Sequence, residues 1–151
     1  MRKPDFIIGG SAKPYMLRWW IIPRNRWFNI YLHKILRDDD DRALHDHPWW
    51  NVSILLRGAY REVMPDLSHC PTPYTRIADL PTRVKLRRAG SIVFRRATSS
   101  HRLEVAKGPV WSLFITGPVI RDWGFHCPKG WRYWRDFVSD HDTGAIGQGC
   151  D

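Results

Sequence analysis

A chain of 151 residues is the size of one domain, and with 43% hydrophobic residues and nine tryptophans it can bury an aromatic-rich core, which excludes intrinsic disorder for most of its length. Three widely spaced cysteines, Cys70, Cys127 and Cys150, form no C-x-x-C pair and argue against a disulfide framework or a zinc ribbon. The net charge of +9 invites a nucleic-acid reading, but Lys and Arg are scattered rather than gathered in one tract, so the charge reads as an evenly solvated surface and argues against a dedicated nucleic-acid binder.

The opening residues carry a basic start and an apolar run too short for a signal peptide, and no later stretch is long enough to span a bilayer, so no membrane role is expected and the default address is the cytoplasm. Strand-length segments rich in β-branched and aromatic residues then follow at 27–36, 52–57, 60–63, 91–95, 101–105 and 110–116. Turn formers separate them: Pro23, the acidic run 38–41, Gly58, Pro65, Gly90, Gly108-Pro109 and Gly117-Pro118. Helical periodicity is confined to 131–138, so an all-β sandwich or barrel is expected over 1–138 as one domain. Residues 139–151 are Gly-rich and read as a flexible tail.

The chemistry concentrates around His45-Asp46-His47. On a strand, residues two apart share a face, so both imidazoles can reach one metal ion. A third ligand is needed, and His101, which opens a strand after Thr98-Ser99-Ser100, is the candidate. Three imidazoles on one side of an ion leave the other side open to water, substrate or oxygen.

These residues resemble the two sequence motifs of the cupin superfamily. His45, His47 and Gly58 stand at the spacing of the first motif, with Asn51 where its glutamate ligand belongs and Asp39 where it begins with glycine. Gly90 and His101 stand at the spacing of the second, with Arg96, Thr98 and Val105 in place of its proline, glycine and asparagine. The resemblance covers about residues 39–105. It implies a cupin double-stranded β-helix, that is a jelly-roll barrel, a divalent metal on His45, His47 and His101, and a homodimer paired through barrel edges. Without a glutamate ligand the centre is similar to that of the cupin-like thiol dioxygenases, which favours Fe(II), although Zn, Ni, Mn or Cu suit the same donors.

Asn51 is then expected to orient bound water or substrate, and Arg61 and Arg95 are the candidates to face inward and clamp a carboxylate. His33 on an alternating strand reads as an outer neighbour of the site, and His126 as part of a barrel cap. The expected function is a metal-dependent oxygenase acting on a small anionic substrate. A metal-assisted isomerase or lyase is the alternative enzyme, and a ligand-binding or nucleic-acid-binding module without catalysis is the alternative class.

Overall fold

The structure, a computed structural model, describes residues 2–10, 12–39, 43–141 and 145–151. The strands are β1 (Phe6–Ile8), β2 (Met16–Trp20), β3 (Asn29–Ile35), β4 (Leu44–His45), β5 (Asn51–Pro65), β6 (Thr82–Arg88), β7 (Ile92–Arg95), β8 (Arg102–Thr116), β9 (Gly124–Cys127) and β10 (Gly130–Tyr133). One sheet runs β1-β2-β3-β8-β5-β6 with β7 also on β5, and a smaller one runs β10-β9-β4. Every named strand pair is antiparallel, as an all-β chain of short connections requires. Among the described residues helix is limited to α1 (Trp134–Phe137) and two short 3-10 turns, so of the helix expected over 131–138 the first three residues belong to β10 and the next four form α1. Among the described residues, no helix is long and apolar enough to cross a membrane.

Two of the expected turns lie inside strands. β5 continues through Gly58 and β8 through Gly108-Pro109, each 15 residues long, with register shifts between them at Leu55/Arg57, Arg57/Ala59 and Ala59/Tyr60. Gly58 has φ +82°, and a Cβ there would come within 2.6 Å of the Lys107 carbonyl oxygen, so only glycine fits the irregularity. The shift resets which residues point inward. Before it Asn51, Ser53 and Leu55 are buried, and after it Tyr60 and Glu62 are.

The core between the sheet faces is built from Tyr15, Met16, Ile35, Leu55, Tyr60 and their neighbours. A second cluster joins the small sheet to α1, where Phe125 stacks on Phe137 with centroids 3.7 Å apart and Trp123 stacks on Trp134 at 5.7 Å. Cys127 is disulfide-bonded to Cys150, a pair that wide spacing hid in the sequence. Of the stretch read as a tail, residues 142–144 lie outside the described residues, and the part after them is tied back: Gly147 and Gly149 both donate to the Phe137 carbonyl.

Candidate metal centre

His45 and His101 meet across a reciprocal backbone bridge, each N–H donating to the other's carbonyl at 2.9 and 3.0 Å. His47 is placed by its own N–H on the Ala97 carbonyl at 3.0 Å. The intervening Asp46, just past the end of β4, points away from them into the small sheet. There its buried carboxylate accepts from Gly124 N–H at 2.8 Å and Trp131 Nε1 at 3.0 Å, and pairs with Arg121 at 3.0 Å and His126 at 3.3 Å. Burial alone would raise the Asp46 pKa, and the hydrogen bonds from His126, Arg121 and Gly124 outweigh it and lower the value. Asp46 therefore pegs the two histidines beside it to a rigid wall. His126 belongs to this peg.

The ligand atoms of His45, His47 and His101 all lie within 4.8 Å of one another. His47 Nε2 and His101 Nε2 are 3.0 Å apart, and two nitrogens bound at right angles to one ion, each at about 2.1 Å, would be separated by about 3 Å. His47 stacks face to face on Trp49 at 5.1 Å, and His45 Nδ1 lies 3.5 Å from the Asp39 carboxylate. Burial, then the neighbouring positive groups, lowers the pKa of His47 well below the ordinary value; burial and the adjacent Arg95 lower that of His101 to about 3. Both rings are neutral at neutral pH, the state a metal requires. The donor set thus fits a divalent ion.

Behind His101 lies a buried carboxylate that the sequence reading did not single out. Glu62 Oε1 accepts from His101 Nδ1 at 2.9 Å and from Arg95 Nε at 2.5 Å, while Oε2 accepts from Arg87 Nε at 2.7 Å. Burial would raise the Glu62 pKa, but the bonds from His101 and Arg95 prevail and hold it far below the carboxylate range. The proton of neutral His101 therefore sits on Nδ1, which aims the lone pair of Nε2 at the cluster.

Arg95 faces inward as expected, yet its guanidinium is committed to the protein: besides Glu62 it donates to Ser53 Oγ at 3.0 Å, Asn51 Oδ1 at 3.3 Å and Tyr60 Oη at 3.1 Å. Asn51 is fully buried and its amide oxygen serves Arg95, so it stands one layer behind the cluster and not against a substrate. Arg61 corrects the expectation outright. Its side chain is 53% exposed and pairs with Glu104 at 3.4 Å, because the irregularity at Gly58 turns the residue between Tyr60 and Glu62 outward.

The three histidines open onto a cavity of about 480 Å³ walled by Tyr31, His33, Trp49 and Phe114. His33 is buried in this wall, stacked between Tyr31 and Phe114, and its Nε2 accepts from Arg18 Nε at 2.9 Å. β2, which carries Arg18, was not foreseen as a strand, so this arginine escaped notice in the sequence.

No family model and no curated protein matches the sequence. Solved structures do resemble the fold. A conserved protein with a double-stranded β-helix domain from Klebsiella pneumoniae matches with a TM-score of 0.53 at 12% identity, over 83% of this chain and 96% of that one. A cupin superfamily protein from Desulfitobacterium hafniense matches with a TM-score of 0.50 at 11% identity, over 78% and 83%. Fe(II)-HppE with the alternative substrate (S)-1-HPP matches with a TM-score of 0.51 at 17% identity; the chain is covered over 78% and spans 58% of that protein's length. The shared architecture is the double-stranded β-helix.

Proposed function

We propose that this chain, which has the cupin double-stranded β-helix fold, is a metal-dependent oxygenase acting on a small anionic substrate, its ion held by His45, His47 and His101. The observation that carries the reading is the convergence of three imidazoles, two of them with Nε2 atoms 3.0 Å apart, on the wall of a largely apolar cavity. HppE, which shares the fold, is seen with Fe(II) and a small substrate, which supports the same kind of use here. Fe(II) is favoured, and Zn, Ni or Mn would fit the same donors. An ion bound there polarises a substrate oxygen and, as Fe(II), supplies the electrons that activate dioxygen.

The chain's own residues have definable parts. Glu62 keeps the His101 proton on Nδ1, and Arg95 and Arg87 balance the Glu62 charge so that it can stay ionised while buried. Trp49 fixes the plane of His47, and Phe114 and Tyr31 shield the site from water. With three histidines and no carboxylate in the donor set, the site's donors are neutral, which leaves the ion's charge to be met by an anionic substrate.

Elemental analysis of natively purified protein, followed by oxygen uptake on iron-loaded protein with small carboxylic, thiol and phosphonic acids, tests the reading. The expected result is one bound ion per chain and uptake that disappears in His101→Ala. Equal uptake in that variant would sink it. Bound zinc with no oxygen consumption would leave the metal-assisted isomerase or lyase in its place.

A further inference from the structure

Arg18, His33 and Ser112 lie side by side on three neighbouring strands. Arg18 on β2 is the register partner of His33 on β3, and His33 is the partner of Ser112 on β8. All three line the cavity that holds the histidine cluster. Adjacent strands stand about 4.8 Å apart, so the row is a polar band across an otherwise aromatic wall.

The arginine in this band is unusual in having no counter-charge. It is partly buried, and among the described residues the one hydrogen bond of its guanidinium is Nε to His33; the group lies 4.7 Å over the Tyr31 ring. Among the described residues no carboxylate pairs with it, and Nη1 and Nη2 have no hydrogen-bond partner. Neighbouring Arg24, at the exposed rim of the same cavity over Trp20, adds a second positive charge to this end. Asp39 is the one acidic residue among the described residues lining the cavity, and it sits beside His45. A guanidinium removed from water without a partner is costly, whereas Arg95, the other buried arginine lining this interior, is paired with Glu62.

His33 adds a donor to the same place. Because its Nε2 accepts from Arg18, and because burial, then the Arg18 charge, lowers its pKa, the ring is neutral with its proton on Nδ1. Ser112 Oγ likewise makes no side-chain hydrogen bond among the described residues.

We propose that Arg18, assisted by His33, Ser112 and Arg24, is the oxyanion-binding subsite that fixes the acid group of the substrate. The ligand class is a small organic acid, with a carboxylate or phosphonate head on Arg18 and an apolar, ring-sized body against Tyr31 and Phe114, its other end toward His45, His47 and His101. This rests on the reading of the cavity as a substrate site, and moves the anion clamp from Arg61 and Arg95 to β2.

Calorimetric titration of metal-free protein with phenylacetate, phenylphosphonate and the neutral phenylacetamide separates the subsite from the metal chemistry. At least one acid is expected to bind, with the tighter of the two naming the head group, and phenylacetamide is expected to bind about ten- to a hundredfold more weakly, as loss of a hydrogen-bonded charge requires. Arg18→Gln should lose binding of the acid by a similar factor while its zinc content after loading stays that of the wild type. Should the variant fold poorly, protection of Arg18 from phenylglyoxal by the acid, read by peptide mass on wild-type protein, reports the same contact. No acid binding, equal affinity for acid and amide, undiminished affinity in Arg18→Gln, or no protection would each overturn the assignment. Acid binding that depends on Arg18 in a protein that takes up no metal would retain the subsite and reject the metal-dependent oxygenase.

Discussion

Glu62 shows how much can depend on one side chain. It is the common acceptor for His101, Arg95 and Arg87, so its removal strands two guanidinium groups and frees the His101 ring to change tautomer. Glu62→Gln should cost about 3–5 kcal/mol of folding stability, the range for breaking a buried ion pair from one side. It should also weaken metal affinity about ten- to a hundredfold, as expected when the partner orienting a ligand histidine is lost. Urea unfolding of the metal-free variant reads the first effect and competition with a chelator the second. Reduced stability with undiminished metal affinity would show that Glu62 serves packing alone.

The same residues predict a pH dependence. His33, His47 and His101 have folded pKa values below the ordinary histidine value, that of His101 at about 3, so the folded state binds fewer protons than the unfolded chain in acid. Their contribution is complete above about pH 6.5 and is lost as the pH falls below it, by up to about 1.4 kcal/mol per pH unit for each histidine. Glu62 acts in a lower window: its depressed pKa stabilises the fold above about pH 4.5 and is lost on further acidification. Urea midpoints of metal-free protein should therefore fall steadily from about pH 7 to pH 5. A flat profile there would contradict neutral buried histidines.

At the level of elements, the strand irregularity at Gly58 decides which residues reach the site. Counting alternate positions on β5 from Asn51 puts Arg61 inside and Glu62 outside, and the structure has the reverse because the register shifts between. The histidines were legible because His45 and His47 need only local alternation, and His101 is brought to them by one backbone bridge. Glu62 and Arg18 were not, since one depends on an irregularity and the other on β2 pairing with β3, a contact that leaves no periodic trace. Gly58→Ala should destabilise by about 1–2 kcal/mol from its positive φ alone, with more from the 2.6 Å approach to Lys107. It should also raise the exchange of backbone amides on β5 and β8 near the site, measurable by hydrogen exchange. The short β4 depends on a different device: Asp46→Asn removes the negative partner of Arg121 and should lower metal retention without touching any ligand.

Across the whole molecule, two layers are fastened differently. The large sheet is held by long ladders such as β3-β8 and β5-β8, whereas the small sheet and α1 rest on the Phe125, Phe137 and Trp123 cluster and on the Cys127–Cys150 cross-link. The all-β architecture was readable from strand-length segments and turn residues, but β1, β2, β6, β9 and β10 were not: β1, β9 and β10 are only three or four residues long, β2 is placed by its pairing with β3, and the Arg-rich β6 is almost wholly exposed. The cross-link was equally hidden, since 23 residues separate its cysteines and pairing depends on how the chain returns past Phe137. A disulfide closing a loop of that size constrains the unfolded chain by about 3 kcal/mol, and it persists only where thiols are not kept reduced. Cys150→Ser should accordingly lower stability by about 2–4 kcal/mol and loosen residues 145–151 from Val138 and Phe137. Because Ala145 and Ile146 line the outer part of the cavity, the variant should bind phenylacetate or phenylphosphonate with a faster off-rate, while the histidine cluster, held by Asp46 and Glu62 from other elements, keeps its affinity for zinc. Stopped-flow release of the acid beside chelator competition for zinc separates the two, and a parallel loss of zinc affinity would show that the C-terminal segment supports the histidines as well as the cavity.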